Sequence, residues 1–256
     1  MGHKDYLYDL LVHDLAGPLS IVATTVNGLL VKAERYGVLT DPQKHGLERI
    51  LRNTKRAQSV LSEILDVCRC EEHLFKREFF FLKSVLKESL LNVSELLNEG
   101  MAERVRDAGS ESEERDVLEE NGIFVAISGR YEEKPFFHDR RKIQLILENL
   151  VSNALKYRRK RMDVSISGEE NLVILVSDDG PGIPKDEQEA IYKRFMRLKS
   201  NNVKPIQGLG LGLFCVKMMV ETMNGQITLA SREGSGTAFT VQIPPLKSTE
   251  KEVYNG

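Results

Sequence analysis

His13 and Asp14 sit side by side in the stretch Leu11-Val12-His13-Asp14-Leu15-Ala16-Gly17-Pro18-Leu19-Ser20, which puts an imidazole that titrates near neutrality beside a carboxylate. A neutral ring nitrogen is a nucleophile at pH 7, and a carboxylate on the other nitrogen fixes the tautomer and stabilises positive charge as it develops. Three segments far downstream carry different chemistry. Asn149 and Asn153 are four residues apart, so they share a helix face, and their carboxamide oxygens are hard, neutral ligands of the kind that suits Mg²⁺ held against phosphates. Lys156 adds a positive charge on the same side. Asparagines that cap neighbouring loops would leave the same trace. Ser177-Asp178-Asp179-Gly180-Pro181-Gly182-Ile183-Pro184 follows the apolar run Leu172–Val176. Its carboxylate at a strand end can accept from an exocyclic amine such as adenine's, and its glycines let the backbone approach a flat ligand; a plain turn uses the same residues. Gly208-Leu209-Gly210-Leu211-Gly212 leads straight into a helical pattern, where backbone N–H groups gather at a helix N-terminus and hold phosphate. The polar stretch Lys199–Gln207 before it has the character of a lid, with Lys193, Arg194, Arg197 and Lys199 as a basic cluster alongside.

These residues need elements to hold them. Val12, Leu15, Leu19, Val22, Val26, Leu29 and Ala33 are spaced alternately three and four apart, a heptad seam on one helix over residues 4–36. His13 then lies next to the seam, facing outward, and Pro18 cannot donate to the carbonyl of Asp14, so the helix should loosen one turn after the histidine. Asp41-Pro42 opens a second helix as N-cap and first helical residue, on which Leu47, Ile50, Thr54, Ala57, Leu61, Ile64 and Cys68 repeat the spacing. The pair makes an antiparallel hairpin. Its wide apolar face is covered either by a second copy, giving a dimeric four-helix bundle, or by the rest of the chain. A boundary is expected at 74–78, dividing a hairpin of residues 1–74 from a second domain of residues 78–247 and a frayed tail of 248–256. In that second domain Glu78–Leu82 is read as a strand, 83–99 as a helix, the strongly acidic stretch 99–122 as a surface insertion that is partly helical or mobile, and Ile123–Ile127 as a strand. Arg140–Arg158 is read as a helix, Val164–Ile166 and Leu172–Val176 as strands, Glu187–Arg197 and Leu211–Asn224 as helices, and Gln226–Ala230 and Thr237–Ile243 as closing strands. Without regular alternation of strand and helix, this is an α+β layered sandwich.

A net charge of −2 gives no field that would favour nucleic acid or an anionic membrane surface. No apolar run reaches the roughly 18–20 residues that span a bilayer, and the first residues show no signal-peptide pattern. Cys68, Cys70 and Cys215 form no disulfide framework, which points to a reducing, cytoplasmic setting. Cys68-Arg69-Cys70 with His73 lacks a fourth ligand at metal-site spacing and reads as a helix end with reduced thiols.

In order and spacing the chain resembles the catalytic core of a bacterial sensor histidine kinase over about residues 4–246. Leu11–Ser20 resembles the phospho-acceptor box, Asn149–Tyr157 the asparagine box, Asp178–Gly182 the first glycine box, Ile191–Arg197 the phenylalanine box, and Gly208–Gly212 and Gly234–Gly236 the second and third glycine boxes. The resemblance implies a phosphotransfer hairpin followed by an ATP-binding α/β sandwich of the Bergerat type. By it, Asn149 would hold Mg²⁺; Asn153, Lys156 and Tyr157 would line the phosphates and nucleotide; Asp178 would read the adenine amino group; Gly180 and Gly182 would shape the base pocket. Arg197 would approach the γ-phosphate of ATP, and Gly208, Gly210 and Gly212 would flank the lid. His13, assisted by Asp14, would take the phosphoryl group and pass it to an aspartate on a response-regulator receiver domain. The implied partners are a second copy through the hairpin and that receiver domain, with membrane attachment only through segments outside this chain.

The chain departs from the family pattern in places. Gly17 stands where many members carry threonine or asparagine for dephosphorylating the regulator, so weak phosphatase activity is expected; Ala16 replaces a common arginine; the 99–122 insertion is unusual. No sensor segment precedes His13, so the chain is either an excised core or takes its input from a separate protein. Two competing classes stay open: a degenerate, scaffold-like binding protein, separated by an ATP-labelling assay, and another ATPase of the same superfamily, separated by the acid stability of its phosphorylated product.

Overall fold

The computed structural model describes residues 15–31, 37–70, 76–193 and 210–246. His13, Asp14, Arg197, Gly208, His73 and the expected tail lie outside the described residues, as does the whole of the expected lid. Two helices come first, α1 (Gly17–Val31) and α2 (Asp41–Cys70), packed against each other. A π-helical turn at Leu15–Ala16 precedes α1. That is the loosening expected where Pro18 withholds a backbone N–H from the helix. The second helix begins one residue earlier in the cap than expected. Thr40 is the N-cap: its carbonyl accepts from the Lys44 N–H at 2.9 Å, while Gln43 Oε1 accepts from the Thr40 N–H at 2.9 Å. Thr40-Asp41-Pro42-Gln43 has the sequence of a capping box, but here Gln43 Oε1 accepts from both the N–H and the hydroxyl of Thr40, and Asp41 and Pro42 lie inside the helix. Along the seam Val26, Thr54 and Leu61 are buried, whereas Leu15, Val22 and Ile50 are exposed.

From β1 (Glu78–Phe80) the chain builds a two-layer sandwich. α3 (Leu82–Leu97), α4 (Glu99–Asp107) and α5 (Glu111–Glu120) follow, then β2 (Ile123–Ile127), β3 (Phe136–His138), α6 (Arg140–Tyr157), β4 (Met162–Ser167), β5 (Leu172–Asp178), α7 (Gly212–Thr222), β6 (Gln226–Ser231) and β7 (Thr237–Ile243). The five-stranded sheet runs β2-β4-β5-β7-β6, with β2 parallel to β4 and the other pairs antiparallel. β1 pairs antiparallel with β3 in a separate ribbon. Strict alternation sets the layers. Met162, Val164 and Ile166 on β4, Leu172, Ile174 and Val176 on β5, and Val241 and Ile243 on β7 are buried on one face. Against them lies the apolar stripe of α6, Ile143, Ile146, Leu147, Leu150 and Val151, each fully buried and each contributing about 1.5–3 kcal/mol. α3 and α7 flank α6, and α7 also meets α2.

Two expectations need correction, and one strand was missed. The acidic stretch 99–122 is helical, as one part of its expectation had it, but as two helices packed on the core rather than a mobile insertion, because Met101, Ala102, Val105, Val117 and Leu118 recur at helical spacing and are buried. Its charges clamp it outward of α3 through Lys83–Glu111 at 2.5 Å, Lys87–Glu114, Arg106–Glu95 and, within the pair, Arg104–Glu120 at 2.6 Å. The helix expected from Glu187 does not form over 187–193; a turn and a short 3-10 segment, Ala190–Tyr192, stand there instead. Gln188 explains this: its Nε2 donates to the carbonyls of Ile183 and Ser231 at 2.9 and 3.0 Å, drawing the segment onto β6. The strand β3 was not foreseen, since Phe136-Phe137-His138 is too short to show a period.

His138 gives this layer an acid-sensitive point. It is fully buried, stacked on Phe136, and its Nδ1 accepts from the Asp139 N–H at 2.8 Å. Burial pushes its pKa down to about 4, with Asp139 opposing and Lys142 assisting. Between the ordinary 6.5 and about 4 the unfolded chain binds a proton that the folded chain does not. The contribution is present in full above 6.5 and is lost as pH falls through that window, up to about 3 kcal/mol. His138→Gln should flatten the pH dependence of unfolding between pH 6.5 and 4, measured by denaturant titration at each pH.

Candidate nucleotide-binding site

α6 buries its apolar stripe and leaves Asn149, Asn153 and Lys156 half-buried along another face, with Tyr157 exposed at its end. Asp139 starts the helix, its side chain accepting from the Lys142 N–H at 3.0 Å. Asn149 Nδ2 donates to the Leu145 carbonyl at 2.8 Å, which commits the amide nitrogen to the helix and leaves Oδ1 turned outward. That oxygen meets the start of α7: a Cβ built on Gly212 would overlap Asn149 Oδ1. The asparagine segment and the glycine segment some sixty residues later are therefore in direct contact, and any side chain at residue 212 would have to displace that of Asn149. Gly210, just ahead, takes a left-handed φ of 74°. Leu211 is buried, so the glycine segment is anchored where α7 begins.

The far end of the same α6 face meets the strand-end carboxylate. Asp178 closes β5, and its Oδ1 accepts from the Gly180 N–H at 2.8 Å. Burial raises its carboxyl above the ordinary range; the N–H groups of Gly180 and Thr237 act against the rise and the neighbouring Asp179 adds to it. A Cβ on Gly180 would come within 2.5 Å of both Asp178 Oδ1 and the Tyr157 carbonyl, so glycine is required by close packing. Gly182, at φ 70°, lies against the Arg232 carbonyl in the same way, and Gly236 against that of Asp178. Asp179 has the opposite character. Burial pushes its carboxyl up, but the N–H groups of Arg161, Lys160 and Arg159 outweigh that and hold it below the usual carboxylate range. It ties the turn after α6 to β5, with the Arg159 and Lys160 N–H groups at 2.8 and 3.0 Å.

Of the residues expected from sequence, the structure brings Asn149, Asn153, Lys156, Tyr157, Asp178, Gly180, Gly182, Gly210 and Gly212 around one face of α6 and the two loops it meets. Two contributors went unforeseen. Ser231 Oγ accepts from the Ile183 N–H at 2.8 Å and donates to the Gly236 carbonyl at 2.9 Å, joining the Asp178–Gly182 turn to the Gly234–Gly236 turn. Lys217 Nζ lies 5.3 Å over the Tyr192 ring, which docks the 190–192 segment on α7. Neither carries a sequence signal, since both depend on pairing across elements. Among the described residues no helix is long and apolar enough to cross a membrane.

Comparison with known proteins agrees with this geometry. Residues 138–247 match the family of histidine kinase-, DNA gyrase B-, and HSP90-like ATPases. Over 243 residues the chain is 27% identical to the sensor-like histidine kinase SenX3 of Mycolicibacterium smegmatis, covering 93% of this chain and 56% of that protein. It is 26% identical to the sensor protein SrrB of Staphylococcus aureus, covering 94% of this chain and 38% of that one. The chain thus spans just over half of one curated relative and well under half of the other. The fold is shared with full-length ShkA in complex with AMPPNP (TM-score 0.59, 20% identity, 92% of this chain and 46% of that chain). It is also shared with the Acinetobacter baumannii histidine kinase AdeS (TM-score 0.52, 19% identity, 92% of this chain and 98% of that one).

Proposed function

We propose that this chain, a sensor histidine kinase catalytic core by its ATPase domain and its relatives, moves the γ-phosphoryl group of ATP to its own His13 and then to an aspartate of a response-regulator receiver domain. The contact between Asn149 Oδ1 and Gly212 carries the reading, because it sets a carboxamide oxygen at the start of α7, where phosphate is held by free N–H groups. At the other end of α6, Asp178 and the close-packed Gly180 are suited to an adenine. The residues fit Mg²⁺ as well: Asn149 offers a carbonyl-type oxygen whose amide nitrogen is already engaged. A magnesium ion bound with the nucleotide would neutralise phosphate charge there. Asn153 and Lys156 then face the phosphates, and Arg197 is assigned to the γ-phosphate. Gly208, Gly210 and Gly212 bound the phosphate end. In the transfer, a ring nitrogen of His13 bonds to phosphorus, the bond to the departing ADP oxygen breaks, and Asp14 holds the proton on the other nitrogen.

The hairpin supports a dimer. α1 carries no charged residue from Gly17 to Val31, and Ile21 and Val31 are 68% and 72% exposed, an apolar surface that a second copy would cover in a four-helix bundle. We divide the chain into that hairpin, residues 1–74, and an ATP-binding domain, residues 78–247, working on the cytoplasmic side. The test is incubation with γ-labelled ATP and Mg²⁺ followed by acid treatment. Label that is lost in acid and stable in base supports phosphohistidine; acid-stable label, or ATP hydrolysis without label, overturns the reading.

Gly17 sets a second expectation. Among the described residues no atom lies within 4 Å of its Cβ position, so they leave room for a larger side chain. Gly17→Thr should raise dephosphorylation of a phosphorylated receiver domain by about tenfold over a weak wild-type rate, since a hydroxyl one turn from the acceptor can orient water. Rapid wild-type dephosphorylation, read from phospho-receiver lifetime, would contradict it.

A further inference from the structure

We propose that Asp139 is a positioning residue that joins the linker arriving from the hairpin to the helix carrying the nucleotide site. The inference rests on the histidine-kinase reading above. Asp139 is 5% exposed and uses both carboxylate oxygens on backbone N–H groups 66 residues apart in sequence: Oδ1 on Lys142 at 3.0 Å and Oδ2 on Lys76 at 3.0 Å. The first bond caps α6. The second holds the last stretch of linker before β1. The register of the small ribbon makes this possible, because Glu78 pairs with His138, which places Lys76 beside the residue that follows β3.

α6 transmits what happens at that cap. Its apolar stripe is fully buried, so the helix moves as a rod. Asn149 lies ten residues along it, about 15 Å from Asp139. The linker is thus attached at one end of the element whose other residues face the nucleotide, and the hairpin is attached to the linker. Phosphoryl transfer to His13 needs the ATP-binding domain to arrive over the hairpin in one orientation. A pivot fixed at Lys76 restricts the orientations to be searched; a pivot released to β1 lengthens the free tether and dilutes the productive one.

Lys76→Pro removes the N–H and leaves the bond between Asp139 and Lys142 in place, whereas Lys76→Ala keeps the N–H and removes the exposed side chain with its ion pair to Glu78. The experiment compares these two variants of the 256-residue chain with wild type in three readouts: thermal midpoint, affinity for a fluorescent ATP analogue with Mg²⁺, and rate of acid-labile labelling at saturating ATP. The expected result is a labelling rate lowered about five- to tenfold in Lys76→Pro, the loss of one charge-assisted hydrogen bond. Affinity stays within about twofold and Lys76→Ala matches wild type in all three. A merely structural role would lower the midpoint and the affinity together with the rate. The proposal is overturned if Lys76→Pro labels at the wild-type rate, if its affinity falls in step with its rate, or if Lys76→Ala is equally slow. Absence of acid-labile label in the wild type would instead remove the kinase reading on which it rests.

Discussion

His13→Gln is expected to abolish acid-labile labelling, a loss of at least roughly a thousandfold, while nucleotide affinity stays within about twofold of wild type. Glutamine is polar and of similar length, so the helix surface is preserved, but its amide nitrogen has no available lone pair and cannot attack phosphorus. The described elements that surround the proposed nucleotide site lie in residues 139–246, well separated in sequence from residue 13, so binding reports on a different part of the chain. Asn149→Ala should behave differently, losing both label and Mg²⁺-dependent nucleotide binding, because it removes the oxygen set against the start of α7. The pair of variants separates acceptor from site. The chain has five histidines, at positions 3, 13, 45, 73 and 138. Full burial rules out His138 as an acceptor in the folded chain. Undiminished label in His13→Gln would therefore move the acceptor to one of the remaining three.

The structure also shows why some elements were legible in sequence and others were not. α6 could be read almost to the residue, since its apolar spacing and its buried face have one cause: packing across β4 and β5. β7 was read at its observed bounds for the same reason, alternation against a single core face, and β2 at its bounds as one short apolar run. The acidic pair α4 and α5 was legible only in part, as helix but not as core, because charge dominates its composition, while the five apolar side chains that hold it down are spread over two short helices with a break at Ala108–Ser110. The missing helix at 187–193 shows tertiary override. Its residues have adequate helix propensity, but Gln188 finds two carbonyl partners outside the segment and Tyr192 finds Lys217. Site residues divide along the same line. Asn149, Asp178 and the glycines announce themselves by type and spacing. Asp139, Ser231 and Gln188 act through partners distant in sequence, and no local pattern reports them.

One consequence is that the proposed site is assembled about a single rod. The base end is set where Tyr157 meets Gly180, the phosphate end where Asn149 meets Gly212, and the linker end where Asp139 meets Lys76. Each of these is a close backbone or carboxylate contact of α6 with a segment that has no regular structure of its own or is just starting a helix. Regular elements supply rigidity, and the loops supply groups that can approach closely. Substitutions that leave α6 folded but alter one of its three contacts should therefore change different steps, and Gly212 gives the sharpest case.

Gly212→Ala should lower Mg²⁺-ATP affinity and labelling by roughly a hundredfold or more, and yet leave the fold as stable as wild type or slightly more so. Gly212 is the first residue of α7 and its φ lies outside the left-handed region, so alanine strains no backbone there. Alanine is also the better helix former, by up to about 1 kcal/mol within a helix. Against this, its Cβ would come within 2.4 Å of Asn149 Oδ1, an overlap. Backbone on both sides is fixed: Leu211 is buried and its carbonyl accepts from the Cys215 N–H at 2.9 Å, and Asn149 Nδ2 holds the Leu145 carbonyl. The asparagine must then rotate away, taking with it the oxygen proposed to bear on Mg²⁺. Stability and activity are thus expected to move in opposite directions, which a general packing defect would not produce. Combining Gly212→Ala with Asn149→Ala removes the overlap, so the double variant should be no weaker in binding than Asn149→Ala alone. Calorimetry with an ATP analogue and thermal unfolding of the same samples read both quantities. Wild-type affinity in Gly212→Ala, or an additive loss in the double variant, would show that the Asn149–Gly212 contact does not shape the site.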